Sequence, residues 1–230
     1  MISVETVYQT VLALANKEQR GYISPQEFNL FANQAQMQIF ESYFTDDNGR
    51  DIFPNVSEDV DQKLHFFKAT GAVTDGSDLS SFPLFYRITD VYTSGGTLPR
   101  FKPCTYIPWE KFIMLLNSPL LDATHERPVY SINNNTFEFH PQQKPNLAAN
   151  QEFVMNYIKK PKKANWTYVI IGGQNSTVYN PSAADHQEFE LHTSEQNNLV
   201  LKILQLAGIS IKDYSLTQVA AQKEAVDKQQ

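Results

Sequence analysis

The sequence predicts an α+β chain: a helical bundle formed by N-terminal and C-terminal helices, with a central β-containing subdomain between them. Two patterns carry that expectation. Apolar residues recur at helical spacing up to about residue 70 and again after Thr193, whereas residues 82 to 170 alternate short β-branched and aromatic runs with turn residues. The expected segments are 1–81 for the N-terminal helices, 82–192 for the β subdomain, 193–213 for the returning helix, and 214–230 for a docking tail.

The first helix lies in "ETVYQTVLALANKEQR", with Val7, Val11, Leu12, Leu14 and Ala15 as its apolar positions. Gly21 is read as its stop, because glycine adopts the left-handed C-cap conformation cheaply. Ser24, Pro25 and Glu27 then open a second helix: a serine N-cap, proline at the first helical position, and a glutamate placed to close a capping box. Phe28, Phe31, Ala35, Ile39, Phe40 and Tyr43 make that helix the expected spine of the fold. A third helix begins near Ser57 with Val60, Leu64 and Phe67 on one face, and Gly71 is read as lying just past its end.

The stretch Asn16 to Glu27 also has the spacing of a calcium-binding loop, with Gly21 at the sixth position and Glu27 at the twelfth. The first, third and fifth positions are Asn16, Glu18 and Arg20, however. A guanidinium has no lone pair for a cation and brings a permanent positive charge to it. The stretch is read as a joint between helices.

"LFYRITDVYT" and "TLPRFKPCTYI" read as β-rich runs around Gly95-Gly96, the second kept irregular or at a sheet edge by Pro99 and Pro103. A short helix follows from Pro108. "RPVYSI" and "TFEFHP" form a hairpin around the asparagines 133–135, and "EFVMNYIKKP" is a further strand. "IIGGQNS" is a turn. Thr193 and Gln196 offer a capping box before a helix carrying Leu199, Ile203, Leu206 and Ala207, ended by Gly208.

Charge and cysteine usage narrow the function. With 19 basic and 25 acidic residues the net charge is -6, which argues against nucleic acid or an anionic membrane as the main partner. Cys104 is the only cysteine, so one chain can form no disulfide and no thiolate cluster. No basic leader and no apolar run of membrane-spanning length is evident, and a soluble protein made in the cytoplasm is expected. The sequons at Asn55, Asn134, Asn165 and Asn175 therefore carry no weight.

The most metal-like group is "HQEFELH", in which His186, Glu188, Glu190 and His192 alternate along an expected strand. Such a set could hold zinc or manganese. Phe189 and Leu191 on the opposite side favour a half-exposed strand with a solvated polar face. His125-Glu126 and His140 have no completing partners, and Cys104 has nothing evident to lower its pKa. No catalytic motif or phosphate loop is present, and neither enzyme activity nor a cofactor is expected. In "YIKKPKKANW", Lys159, Lys160, Lys162 and Lys163 lead to Trp166, a basic aromatic loop of a kind that can touch nucleic acid but that in a net negative chain is expected to be a solvated turn or a contact with an acidic neighbouring subunit. Tyr214, Leu216 and Val219 in the weakly amphipathic C-terminal segment are the other interface candidates.

Taken in order, "VLALANKEQRGYISPQEFNLFANQAQ", "RPVYSINNNTFEFHP" with "YIKKPKKANW", and "NNLVLKILQLAGISIKD" resemble virion structural proteins of short-tailed, crAss-like bacteriophages, and more distantly head-to-tail adaptor and tail tubular proteins. The resemblance covers most of the chain and implies a subunit of a ring, commonly twelvefold, placed under a portal in the virion. Such a ring extends the DNA exit channel, touches passing DNA transiently and contacts the portal and tail proteins but no membrane. Head-to-tail closure requires two different complementary surfaces on every subunit.

Overall fold

The computed structural model describes residues 1–17, 23–45, 49–51, 53, 57–94, 101–118, 123–124, 127–141, 152–171 and 176–210. The chain folds as two compact units: Met1–Phe66 joined by the chain from Pro161 onward, and Phe67–Lys160. Helices from both ends of the chain flank a central β-rich region, the α+β organisation expected. The β unit begins earlier and ends earlier than residues 82–192 because a strand at 68–73 joins it, while the segment from 161 packs with the helices.

In the first unit α1 spans Val4–Lys17, α2 Pro25–Ser42, α3 Glu58–Leu64 and α5 Gln196–Ser210, with α5 packing on α1 and α2. The N-terminus of α2 forms as its residues dictate. Ser24 accepts the Glu27 N–H, and the Glu27 carboxylate accepts from the Ser24 N–H at 3.0 Å and its hydroxyl at 2.8 Å. Those bonds favour the anion and hold the Glu27 carboxyl below its ordinary value. The buried stripe of α2 is Phe28, Ala32, Ala35, Gln36, Ile39 and Phe40, while Phe31 is half-buried. Leu14 of α1 is exposed, and Val4 and Tyr8 join Val7, Val11 and Ala15 in the core.

Two glycine readings are corrected. Gly208 does not end α5, which continues to Ser210. Gly71 lies inside a strand rather than after a helix: α3 closes at Leu64, a 3-10 turn covers His65–Phe67, and β1 follows at Lys68–Val73. The ring of Phe82 lies so close to Gly71 that a Cβ there would meet Cε1 at 2.4 Å. Absence of a side chain, not backbone freedom, is what this position requires.

The second unit contains β1, β2 (Phe85–Ser94), β3 (Lys102–Pro103), β4 (Thr105–Tyr106), α4 (Trp109–Leu116), β5 (Val129–Asn133), β6 (Thr136–His140) and β7 (Glu152–Lys159). One sheet has the order β1-β7-β2-β3, with Pro103 on its edge, where its missing N–H costs no ladder bond. The other has the order β4-β5-β6. The β5–β6 hairpin turns through Asn134 and Asn135, both at positive φ, as a two-residue type I′ loop needs. Phe137 and Phe139 face inward from β6, and Phe139 stacks on Phe153 of β7 at 4.0 Å between ring centres. Val73, Leu79, Val91, Cys104, Tyr130, Met155 and Tyr157 pack with them in this core.

Candidate functional site

Glu188, Glu190 and His192 are each bonded to a different part of the first unit, while His186 lies against Glu188 and the Tyr179 hydroxyl. The Glu188 carboxylate accepts the Val4 N–H at the start of α1, where an anion is favoured by the helix dipole, and also lies 3.2 Å from His186 Nε2. Glu190 accepts the Lys162 N–H at 3.0 Å and pairs with the Lys162 ammonium at 3.6 Å. His192 Nδ1 accepts the Ser194 N–H at 3.3 Å, capping the 3-10 turn Thr193–Glu195 that leads into α5, so the cap comes from His192 rather than Thr193. Phe189 and Leu191 point inward as the alternation requires. The polar face is thus half-buried and bonded to neighbouring backbone more than solvated. Among the described residues no three His, Cys, Asp or Glu side chains converge on a point that could hold a metal ion.

The basic run falls across the boundary between the units: Lys159 and Lys160 belong to one, Lys162 and Lys163 to the other. Lys160 lies over the Tyr86 ring at 5.9 Å. Trp166, expected at an interface, is a core residue at 2% exposure. It stacks with Tyr168 and Tyr179 and packs 4.1 Å from Tyr8, and its indole N–H donates to Glu5. Thr167 is buried beside it.

The segment 162–166 belongs to no named strand or helix; Asn165 pairs with Gln187 through the backbone, and one face of α2 supplies side-chain hydrogen bonds along the rest. Gln36 donates to the Lys162 carbonyl at 2.7 Å and Asn33 to the Ala164 carbonyl at 2.9 Å. Asn29 accepts the Trp166 N–H at 2.8 Å and donates to its carbonyl at 3.1 Å. The spacing 29, 33, 36 puts the three amides on adjacent helical turns, which lets them read one extended strand of chain. No local pattern in the sequence singles out these three amides.

Among the described residues, two elements each expose several apolar side chains together. In the first unit, β8 (Tyr168–Ile171) and β9 (Ser176–Tyr179) form a hairpin with Val169 and Val178 paired across it; both, with Ile170 at 60%, are exposed. A two-stranded ribbon buries little by itself. In the second unit, α4 buries Phe112 while Ile113, Leu116 and Met114, the last at 69%, face solvent beside the exposed Tyr106. The second unit also carries a shallow cleft of about 360 Å³ lined by Asp90, Val91, Tyr92, Phe101, Pro103 and Asn156.

Cys104 is buried, and burial pushes its thiol up to about 12, well away from thiolate reactivity near neutral pH. His125, Glu126, Tyr214, Leu216 and Val219 lie outside the described residues, as do Glu18, Arg20 and Gly21 of the calcium-like stretch. Its twelfth residue, Glu27, is engaged in the α2 capping box. No helix among the described residues is long and apolar enough to cross a membrane. No protein-family model matches the chain, and no curated protein matches it.

Proposed function

We propose that this chain is a structural subunit of a phage head-to-tail connector, one copy of an oligomeric adaptor ring between portal and tail that lines the DNA exit channel. The observation that carries the reading is the pair of unlike apolar surfaces: the β8–β9 hairpin on one unit and the outer face of α4 on the other. A head-to-tail ring needs two different patches on each subunit, and exposed apolar clusters of this kind mark association sites. The sequence resemblance to virion structural proteins supports the same class. The net charge of -6 suits a channel wall past which DNA slides without tight binding. The C-terminal segment with Tyr214, Leu216 and Val219 is proposed to meet the portal or an adjoining ring.

Quantitative mass spectrometry of purified virions tests this reading through the copy number of the chain relative to the portal subunit. A ratio near one to one is expected for a matching ring. Absence of the chain from the particle overturns the proposal.

A further inference from the structure

We infer that Lys163 of one subunit inserts its ammonium into the Asp90–Tyr92–Phe101 cleft of the next, an inference that rests on the ring reading above. The cleft has the composition of a cation site. Tyr92 and Phe101 meet edge to face at 5.1 Å between ring centres, and Phe101 is 66% exposed, an unusual placement for a phenylalanine without a partner. Asp90 is exposed, and its carboxylate is in no side-chain hydrogen bond or ion pair with the described residues. A carboxylate beside two aromatic rings attracts an ammonium through both charge and ring quadrupoles.

Charge complementarity selects the occupant. Copies of a chain with net charge -6 repel one another, so association needs local contacts of opposite sign. Lys163 is exposed, and no carboxylate among the described residues holds it, whereas Lys162 beside it turns back to Glu190. Its backbone is fixed on both sides, by Gln36 and Glu190 at Lys162 and by Asn33 at Ala164, with Pro161 and Ala164 buried. The side chain therefore projects from an immobilised base, and less ordering entropy is lost when it binds. Lys163 and the cleft lie on different units, and this contact joins unlike surfaces as a head-to-tail assembly does.

The test is a charge swap in the full-length chain, read by native mass spectrometry and sedimentation velocity over a concentration series. Lys163→Glu and Asp90→Lys should each raise the subunit concentration needed for assembly about tenfold or more, and the double variant should restore most of the loss. Phe101→Ala, at an exposed position, should weaken assembly with an unchanged melting temperature, which guards against misfolding of the Asp90 variant. Wild-type oligomers that survive both single swaps, or a double variant no better than the singles, overturn the cleft contact and leave the ring reading standing. A wild-type chain that stays monomeric at high micromolar concentration overturns the contact. Virion copy number then decides the ring reading separately.

Discussion

The two units hold themselves together by different means. In Phe67–Lys160 the strands bond one another in register, and stacked aromatic rings, Phe137, Phe139 and Phe153, fill the space between. In the helical unit a chain segment without regular structure, 162–166, is held by side-chain amides from one helix, while Trp166 supplies the apolar anchor. Backbone hydrogen bonds are obligatory in both. A strand obtains them from another strand, whereas 162–166 has one backbone bridge, Asn165 with Gln187, and takes most of the others from side chains, and so depends on a few residues.

One tryptophan lies in each unit, Trp109 in the β unit and Trp166 in the helical one, and fluorescence of single-tryptophan variants can follow each separately. The largest effect is expected from Phe139→Ala, which empties the centre of the aromatic stack and should destabilise the β unit by about 3–5 kcal/mol. Urea unfolding should show the Trp109 transition moving to lower denaturant by more than the Trp166 transition; equal shifts would show that the units unfold as one. Gly71→Ala should cost about 1–3 kcal/mol through the collision with Phe82. Adding Phe82→Ala should recover part of the loss; no recovery would locate the strain elsewhere.

Gln36→Leu keeps the bulk of the side chain but leaves the Lys162 carbonyl and the Glu190 N–H without their partner, a loss of about 1–3 kcal/mol. The Trp166 transition should shift first. If Gln36→Leu is neutral, the amide contacts do not fasten the segment. A smaller effect is expected from alkaline pH. Burial raises the Cys104 thiol from 9.0 and the Tyr130 phenol from 10.0, each to about 12, so both stay protonated in the folded chain while their unfolded counterparts ionise. The folded state then binds more protons, and stability present below pH 9.0 should fall as pH rises towards about 12. Urea midpoints taken below and within that window measure it, and slow thiol alkylation before unfolding checks the burial of Cys104.

Features whose causes are local are legible in the sequence. The Ser24–Glu27 capping box, the asparagine turn of the β5–β6 hairpin and the edge position of Pro103 each depend on a few adjacent residues, and each formed as expected. Where the deciding partner is distant, the reading failed. Gly71 looked like a helix stop because Phe82, which excludes a side chain there, is not marked by any local pattern. The roles of Asn29, Asn33 and Gln36 are not legible in the sequence, since their partners come some 130 residues later in the chain. Trp166 was grouped with the lysines before it because adjacency in sequence does not reveal that Pro161 and Ala164 turn inward beside it while Lys163 stays outside.

The β unit is one uninterrupted stretch, whereas the helical unit is assembled from residues on either side of it. During synthesis the β unit emerges whole and can close its sheets while the chain is still growing. Helices α1 and α2 precede it but cannot complete their packing until Gln196–Ser210, which packs on both, has been made. At ordinary translation rates that interval is on the order of ten seconds. Through it the faces of α1 and α2 that pack on α5 stay open, and the helical unit closes only after the β unit that lies within it in sequence.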